Sequence, residues 1–295
     1  MIHRAIAKLA ALAALALPLT ALAQEQPSGW SLLNMPRGVT TISREVYELH
    51  MLIFWVCVGI GAVVFSVMIY SLIKFRKSKG AVPDTTMVHN TKVEIIWTAI
   101  PVAILVSMAV PAARTLIEIE DTRNTELTIK VTGYQWGWHY EYLDNGVAFH
   151  SRLDPESNAA RQLGANIDPK TVPNYLLNVD NPLVVPAGVK VRLLITATDV
   201  IHSWWVPEFG LKKDAIPGFV NEMWFQIDAD KAGHTFRGQC TELCGRDHAF
   251  MPVVVDVRSP EDFQAWLQEK AAEQKAAQEE AEVAALEPAG ATQAG

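Results

Sequence analysis

The sequence predicts a membrane-anchored all-β protein, in which a hairpin of two transmembrane helices leads into a β-sandwich. Two observations predict the anchor and one predicts the sandwich. Residues 52–73 form a run of 22 without a charge, and residues 95–113 a second run of 19. Either is long enough to cross a hydrocarbon core of about 30 Å at about 1.5 Å per residue. From residue 126 onward the texture changes to short β-rich runs separated by turn residues, the pattern of a sandwich or barrel.

The elements follow in order. Residues 1–23 read as a secretory signal, with Arg4 and Lys8 ahead of an Ala and Leu run over 9–17. Ala21-Leu22-Ala23 before Gln24 has the small-residue pattern of a cleavage site. An exported segment, 24–48, leads to the first span at 49–73. The loop 74–93 carries Lys74, Arg76, Lys77, Lys79 and Lys92 against the single acid Asp84. The positive-inside rule makes that loop cytoplasmic, so both ends of the hairpin face the periplasm. The second span, 94–117, contains Pro101 and Pro111, which predict a kinked helix.

Residues 118–268 make the exported β domain. Runs at 127–131, 184–191, 193–197 and 253–257 predict strands, with turns at Asp144-Asn145-Gly146 and Pro186-Ala187-Gly188. The polar stretch 149–178 reads as a long insertion, and 261–267 as the start of a short helix. Beyond it, 269–295 is an Ala, Glu and Gln tract with little to bury, expected to fray into disorder.

Net charge is −7, unevenly spread. From Arg114 to the end there are 16 Lys and Arg against 27 Asp and Glu, a balance of −11. That excess repels nucleic acid and suits a basic protein partner, although it also serves plain solubility.

The chemistry is concentrated in 240–251. There are three cysteines. Cys57 lies alone in the first span and reads as a small apolar side chain. Cys240 and Cys244, with His248 and Met251, put two thiols, an imidazole and a thioether within twelve residues. His202 supplies a second imidazole upstream. Two nearby cysteines in an exported domain fit a disulfide. Two Cys and two His fit zinc, though not at finger spacing. The soft donor set favours copper, and a second thiolate beyond the single one of a blue-copper site can bridge two metal ions. Residue type and spacing leave these readings open.

The run from Cys240 to Met251, with His202, closely resembles the copper A site of cytochrome c oxidase subunit II. Val93-Glu94-Ile95-Ile96-Trp97-Thr98 with Pro101 resembles that family's second span. The aromatic run Tyr134-Gln135-Trp136-Gly137-Trp138 and the run Lys212-Lys213-Asp214-Ala215-Ile216-Pro217-Gly218 match two further motifs. The resemblance implies a cupredoxin-like sandwich holding a dinuclear copper centre. Cys240 and Cys244 would bridge the metals, with His202 and His248 binding one each. Met251 and the Glu242 carbonyl would be weak ligands. The Glu242 carboxylate would reach a magnesium ion shared with the catalytic subunit. Trp136 would be where electrons arrive from cytochrome c, with Glu141, Asp144, Asp154, Asp180 and Asp199 as docking acids. Glu94 would stand at a proton-uptake entrance. Lys212 and Asp214 would lie near the catalytic subunit. Family members usually have Arg after Pro-Gly, whereas this chain has Phe219, which puts that residue's contact in doubt.

The resemblance therefore implies an electron-transfer subunit of a bacterial inner-membrane oxidase, embedded in lipid beside its catalytic subunit. No Cys-x-x-Cys-His motif occurs, so no haem is expected in this chain and cytochrome c is expected to be a separate protein. A quinol-oxidase relative would lack the copper ligands. A tethered thiol–disulfide or copper-delivery protein would show one span and a βαβ pattern.

Overall fold

A computed structural model describes residues 33–286 apart from 84, 87 and 88. The expected signal at 1–23, residues 24–32 of the 24–48 segment and the last nine residues of the tail lie outside the described residues. The chain divides into two units, 1–36 and 37–295, and among the described residues every α-helix and strand lies in the second.

Helix α1 (Thr41–Lys74) starts well before its apolar run, because Thr40 and Ser43 form a reciprocal capping box. Helix α2 (Thr91–Ile119) is capped by the Asn90 side chain, which accepts from the Lys92 and Val93 amides. The Glu94 carboxylate accepts from the Asn90 amide at 3.2 Å, completing that cap. Pro101 and Pro111 lie inside α2 without ending it. Among the described residues these two helices are long and apolar enough to cross a membrane. Val63, Phe65 and Leu72 on α1, and Ile95 and Leu105 on α2, are all more than half exposed. A helix apolar on its outward face needs lipid or a partner to cover it.

The β domain is a sandwich of two five-stranded sheets. One runs β3 (Val147–Ser151), β2 (Gly137–Tyr142), β1 (Leu127–Tyr134), β5 (Lys190–Ala197) and β8 (Asn221–Gln226). The other runs β4 (Leu183–Pro186), β10 (Pro252–Arg258), β9 (Thr235–Cys240), β6 (His202–Val206) and β7 (Leu211–Ala215). Each sheet contains one parallel pair, β1 with β5 and β4 with β10. Alternation is clean in β5, where Val191, Leu193, Ile195 and Ala197 point inward. Trp204 of β6 lies parallel to Phe225 of β8, and its indole donates to the Tyr140 hydroxyl of β2 at 3.2 Å. The apolar run at 184–191 is split, because Ala187 and Gly188 turn the chain from β4 into β5.

Phe149, expected in a loop, belongs to β3, since it packs on Tyr142 and Trp266. The rest of the 149–178 stretch includes a short helix, α3 (Pro155–Ala160), capped by Asp154. The terminal helix α4 (Pro260–Leu286) continues far past the expected first turns. Its Phe263, Trp266 and Leu267 are buried, and the Gln274 side chain bonds the Ala148 amide and carbonyl of β3. A side-chain amide there satisfies an otherwise open strand edge.

The sandwich is fastened to the end of the hairpin where α1 starts and α2 stops. Trp224 of β8 donates to the Glu118 carbonyl at 3.0 Å, and Lys213 pairs with Glu120 at 3.2 Å. Arg44 and Asp228 pair at 2.5 Å, and Ile42 joins the core.

Candidate metal centre

Two loops at one end of the sandwich bring the candidate ligands together. His202 opens β6 and Cys240 closes β9, and these strands are hydrogen-bonded neighbours through Trp204 and Cys240. The chain then loops out from Cys240 and returns at Pro252, carrying Cys244, His248 and Met251 back over the same spot.

The donor atoms converge. The two thiol sulfurs are 3.8 Å apart and both cysteines are free. Cys240 Sγ lies 4.0 Å from His202 Nδ1 and 3.3 Å from the Glu242 carbonyl oxygen. Cys244 Sγ lies 3.4 Å from His248 Nδ1 and 3.4 Å from Met251 Sδ. His202, Cys240, Cys244 and Met251 are buried. Sulfurs at this spacing can share metal ions at ordinary metal–sulfur lengths of about 2.3 Å. The set of two thiols, two imidazoles, a thioether and a carbonyl suits copper better than hard cations. Burial and the neighbouring Cys240 push the Cys244 thiol up to about 12. A bound cation reverses that, because metals take cysteine as thiolate.

A chain of hydrogen bonds holds these ligands from behind. His202 Nε2 meets Asp199 at 3.0 Å, leaving Nδ1 as the nitrogen facing Cys240. The other Asp199 oxygen accepts from the Gln135 amide at 2.7 Å, and the Gln135 side chain donates to the Cys244 carbonyl at 2.8 Å. Burial pulls the Asp199 carboxyl up, but the His202, Val200 and Gln135 hydrogen bonds outweigh it and hold it below the usual range. Trp136 is half-buried beside this brace, and its indole N–H donates to the same Cys244 carbonyl at 3.1 Å.

The ligand loop is also held from outside. Arg161, in the stretch read from sequence as an insertion, pairs with Asp247 at 3.4 Å and sits 4.2 Å over the Phe250 ring. Both residues flank ligands, next to His248 and Met251 respectively. Gly245 has φ +115, and a Cβ there would stand 3.2 Å from the Trp136 ring. Gln135 lies inside the aromatic run and Gly245 inside the run from Cys240 to Met251, but neither has a role assigned from sequence, and Arg161 carries no sequence signal.

The remaining predicted residues are scattered. Of the acids, Asp199 lies at the cluster itself. Asp180 accepts from the Arg152 and Asn181 amides, Asp154 caps α3, and Glu141 pairs with Lys130 at 3.2 Å. Asp144 lies in the turn beyond Tyr142, at the end of β2 away from Trp136. Glu242, Lys212, Asp214 and Phe219 are exposed. Glu94 is at the start of α2, far along the chain from the sandwich and engaged in the helix cap. Cys57 is exposed on α1.

Comparison with known proteins gives one consistent result. Residues 127–258 match the periplasmic domain of cytochrome c oxidase subunit II, and residues 28–114 match its transmembrane domain. A probable cytochrome c oxidase subunit 2 of Rickettsia bellii is 41% identical over 246 residues, covering 83% of this chain and 86% of that protein. The cytochrome c oxidase subunit 2 of Cereibacter sphaeroides is 33% identical over 252 residues, covering 83% and 81%. Among solved structures, the periplasmic domain of the Bradyrhizobium japonicum oxidase subunit II is 40% identical with a TM-score of 0.43, covering 51% of this chain and 96% of that domain.

Proposed function

This chain belongs to the cytochrome c oxidase subunit II family, and from that premise we propose that its donor cluster holds the copper A centre through which electrons reach the oxidase. The protein is a membrane-anchored electron-transport subunit of a haem–copper oxidoreductase complex, with a cupredoxin-like sandwich after its helical hairpin. The observation that carries the copper reading is the meeting of Cys240, Cys244, His202, His248, Met251 and the Glu242 carbonyl at one end of the sandwich. When bound, two coppers sharing one electron supply a one-electron store whose bonds change little on oxidation.

The chain's own residues do the rest. Asp199 fixes which nitrogen His202 presents, and Gln135 ties that carboxylate to the Cys244 loop. The Trp136 indole, reached from outside, is joined to a ligand residue by a single hydrogen bond. That makes it a short bonded route for an electron from a docked cytochrome c. The Glu242 carboxylate, exposed beside the cluster, would contribute to a magnesium ion completed by the catalytic subunit. Lys212 and Asp214 would face that subunit, and Glu94 would stand where protons are taken up from the cytoplasm. In this reading 49–73 and 94–117 cross the bacterial inner membrane. The loop 74–93 is cytoplasmic, and 118–268 is periplasmic.

Two measurements test this. Copper analysis and electron paramagnetic resonance on the copper-loaded full chain should find two coppers per chain with one electron shared between both nuclei. A single copper with an unshared electron would overturn the dinuclear centre. Trp136→Phe should slow reduction by cytochrome c by at least about tenfold, a barrier change of about 1.4 kcal/mol, while leaving that resonance unchanged. An unaltered rate would remove Trp136 from the electron route.

A further inference from the structure

Away from the copper cluster, His139 and His150 form a second meeting of metal-ligating side chains. His139 in β2 and His150 in β3 are direct partners in the antiparallel register. Their ring centroids are 4.6 Å apart, with the planes tilted by 52°. Both point to the outer face of the sheet, since Trp138 and Tyr140 on either side of His139 are in the core. Tyr134 packs edge-on against His150, with centroids 5.2 Å apart, which helps hold that ring in place. Among the described residues neither imidazole makes a hydrogen bond, whereas His202 is held by Asp199 and His234 by the Lys231 carbonyl.

We propose that His139 and His150 together chelate one divalent transition-metal ion of the zinc type, at a surface site separate from the copper centre. The ring spacing carries the argument. With metal–nitrogen bonds of about 2.0–2.1 Å and ring nitrogens about 1.1 Å from the ring centre, two imidazoles on one ion have centroids roughly 4.5–5.2 Å apart. The observed 4.6 Å falls in that range.

The surroundings decide the ion class. Glu141 lies two residues from His139 on the same face of β2, and its carboxylate pairs with Lys130. Turned from Lys130, it adds an oxygen to two nitrogens, a set suited to zinc. The other charge nearby is Arg152, whose guanidinium is taken up by the Tyr134 ring and hydroxyl. Burial, and then the charge of His150, push His139 below the usual histidine range. Neutral imidazole is the form that binds metal, so this favours loading at neutral pH.

The test is calorimetric titration of Zn2+ into the copper-loaded oxidase complex near pH 7.5. Wild type is compared with His139→Asn and His150→Asn. Each variant should bind one zinc fewer per complex, with the copper resonance unchanged as the check that the domain is folded. Zinc uptake at this site should also weaken as pH falls, because protons compete with the metal for imidazole nitrogen. Equal zinc stoichiometry in wild type and both variants overturns the site. Loss in only one variant overturns the shared chelation.

Discussion

At the scale of single residues, the centre depends on side chains that are small as much as on those that bind. A Cβ added at Gly133 would stand 2.9 Å from His202 Cδ2, and the His202 ring is fully buried with nowhere to go. Gly133→Ala should therefore displace His202, seen as lost copper or a changed resonance in a protein that still folds. A wild-type spectrum would show that β1 yields instead. Glu208 presents a different residue-scale case. Burial pushes its carboxyl above the usual range, and its Oε2 has no hydrogen-bond partner. A raised folded pKa means the group's contribution is fully present below the unfolded value and is lost as pH rises through the folded one. Burial thus opposes ionisation of this carboxyl more in the folded protein than in the unfolded chain. Glu208→Gln should thus raise the melting temperature near pH 7 and have no effect below about pH 4, where both side chains are neutral. An equal shift at both pH values would sink this account.

At the scale of elements, the two sheets are clasped where β2 meets β4. The Tyr142 hydroxyl donates to the Val184 carbonyl at 2.6 Å and accepts from the Val184 amide at 3.1 Å, in a fully buried position. Tyr142→Phe leaves both backbone groups without a partner and should cost about 1–3 kcal/mol, read as a lower denaturation midpoint. No change would mean the strand re-pairs or admits water. The same scale explains why the ligand loop is ordered. Its ends are fixed by β9 and β10, and Arg161 grips its middle through Asp247 and Phe250. Burial raises the Asp247 carboxyl, but hydrogen bonds from Arg246 and Arg161 hold it below the usual range. Charge is thereby kept beside His248.

For the whole molecule, the question is how a partner finds the end of the sandwich that carries the donor cluster. The region from Arg114 onward carries an excess of 11 acids. At about 10 mM salt the screening length is roughly 30 Å, falling to about 8 Å at 150 mM, so a field of that origin should fade across this range. The KM for a basic cytochrome c should rise several-fold over it, with kcat at saturating donor unchanged. A constant KM would mean that docking does not use the acidic surface. Several of those acids also have local tasks, Asp154 in a helix cap and Asp180 in a turn, which argues for a summed field over individual contacts.

The sequence by itself determined the hairpin, the β character of the second half and the donor residues that the fold brings together. Charge-free runs of membrane length, turn residues at short intervals and soft donors packed into twelve residues are local signals, readable without neighbours. Tertiary structure decided what those signals could not. The parallel pairings of β1 with β5 and β4 with β10 join strands distant in sequence. Asp199, read as one more surface acid, holds His202 three positions on, and its other oxygen takes the Gln135 amide from 64 positions away, a contact only the fold supplies. The polar stretch after β3 looked like a passive loop, yet Arg161 reaches across 86 positions to Asp247. The long α4 was hidden because its later turns bury little, and only its first apolar residues and Gln274 meet the sheet. Ligand identity is chemistry carried by each residue alone, whereas support for a ligand depends on which distant side chain the fold brings next to it.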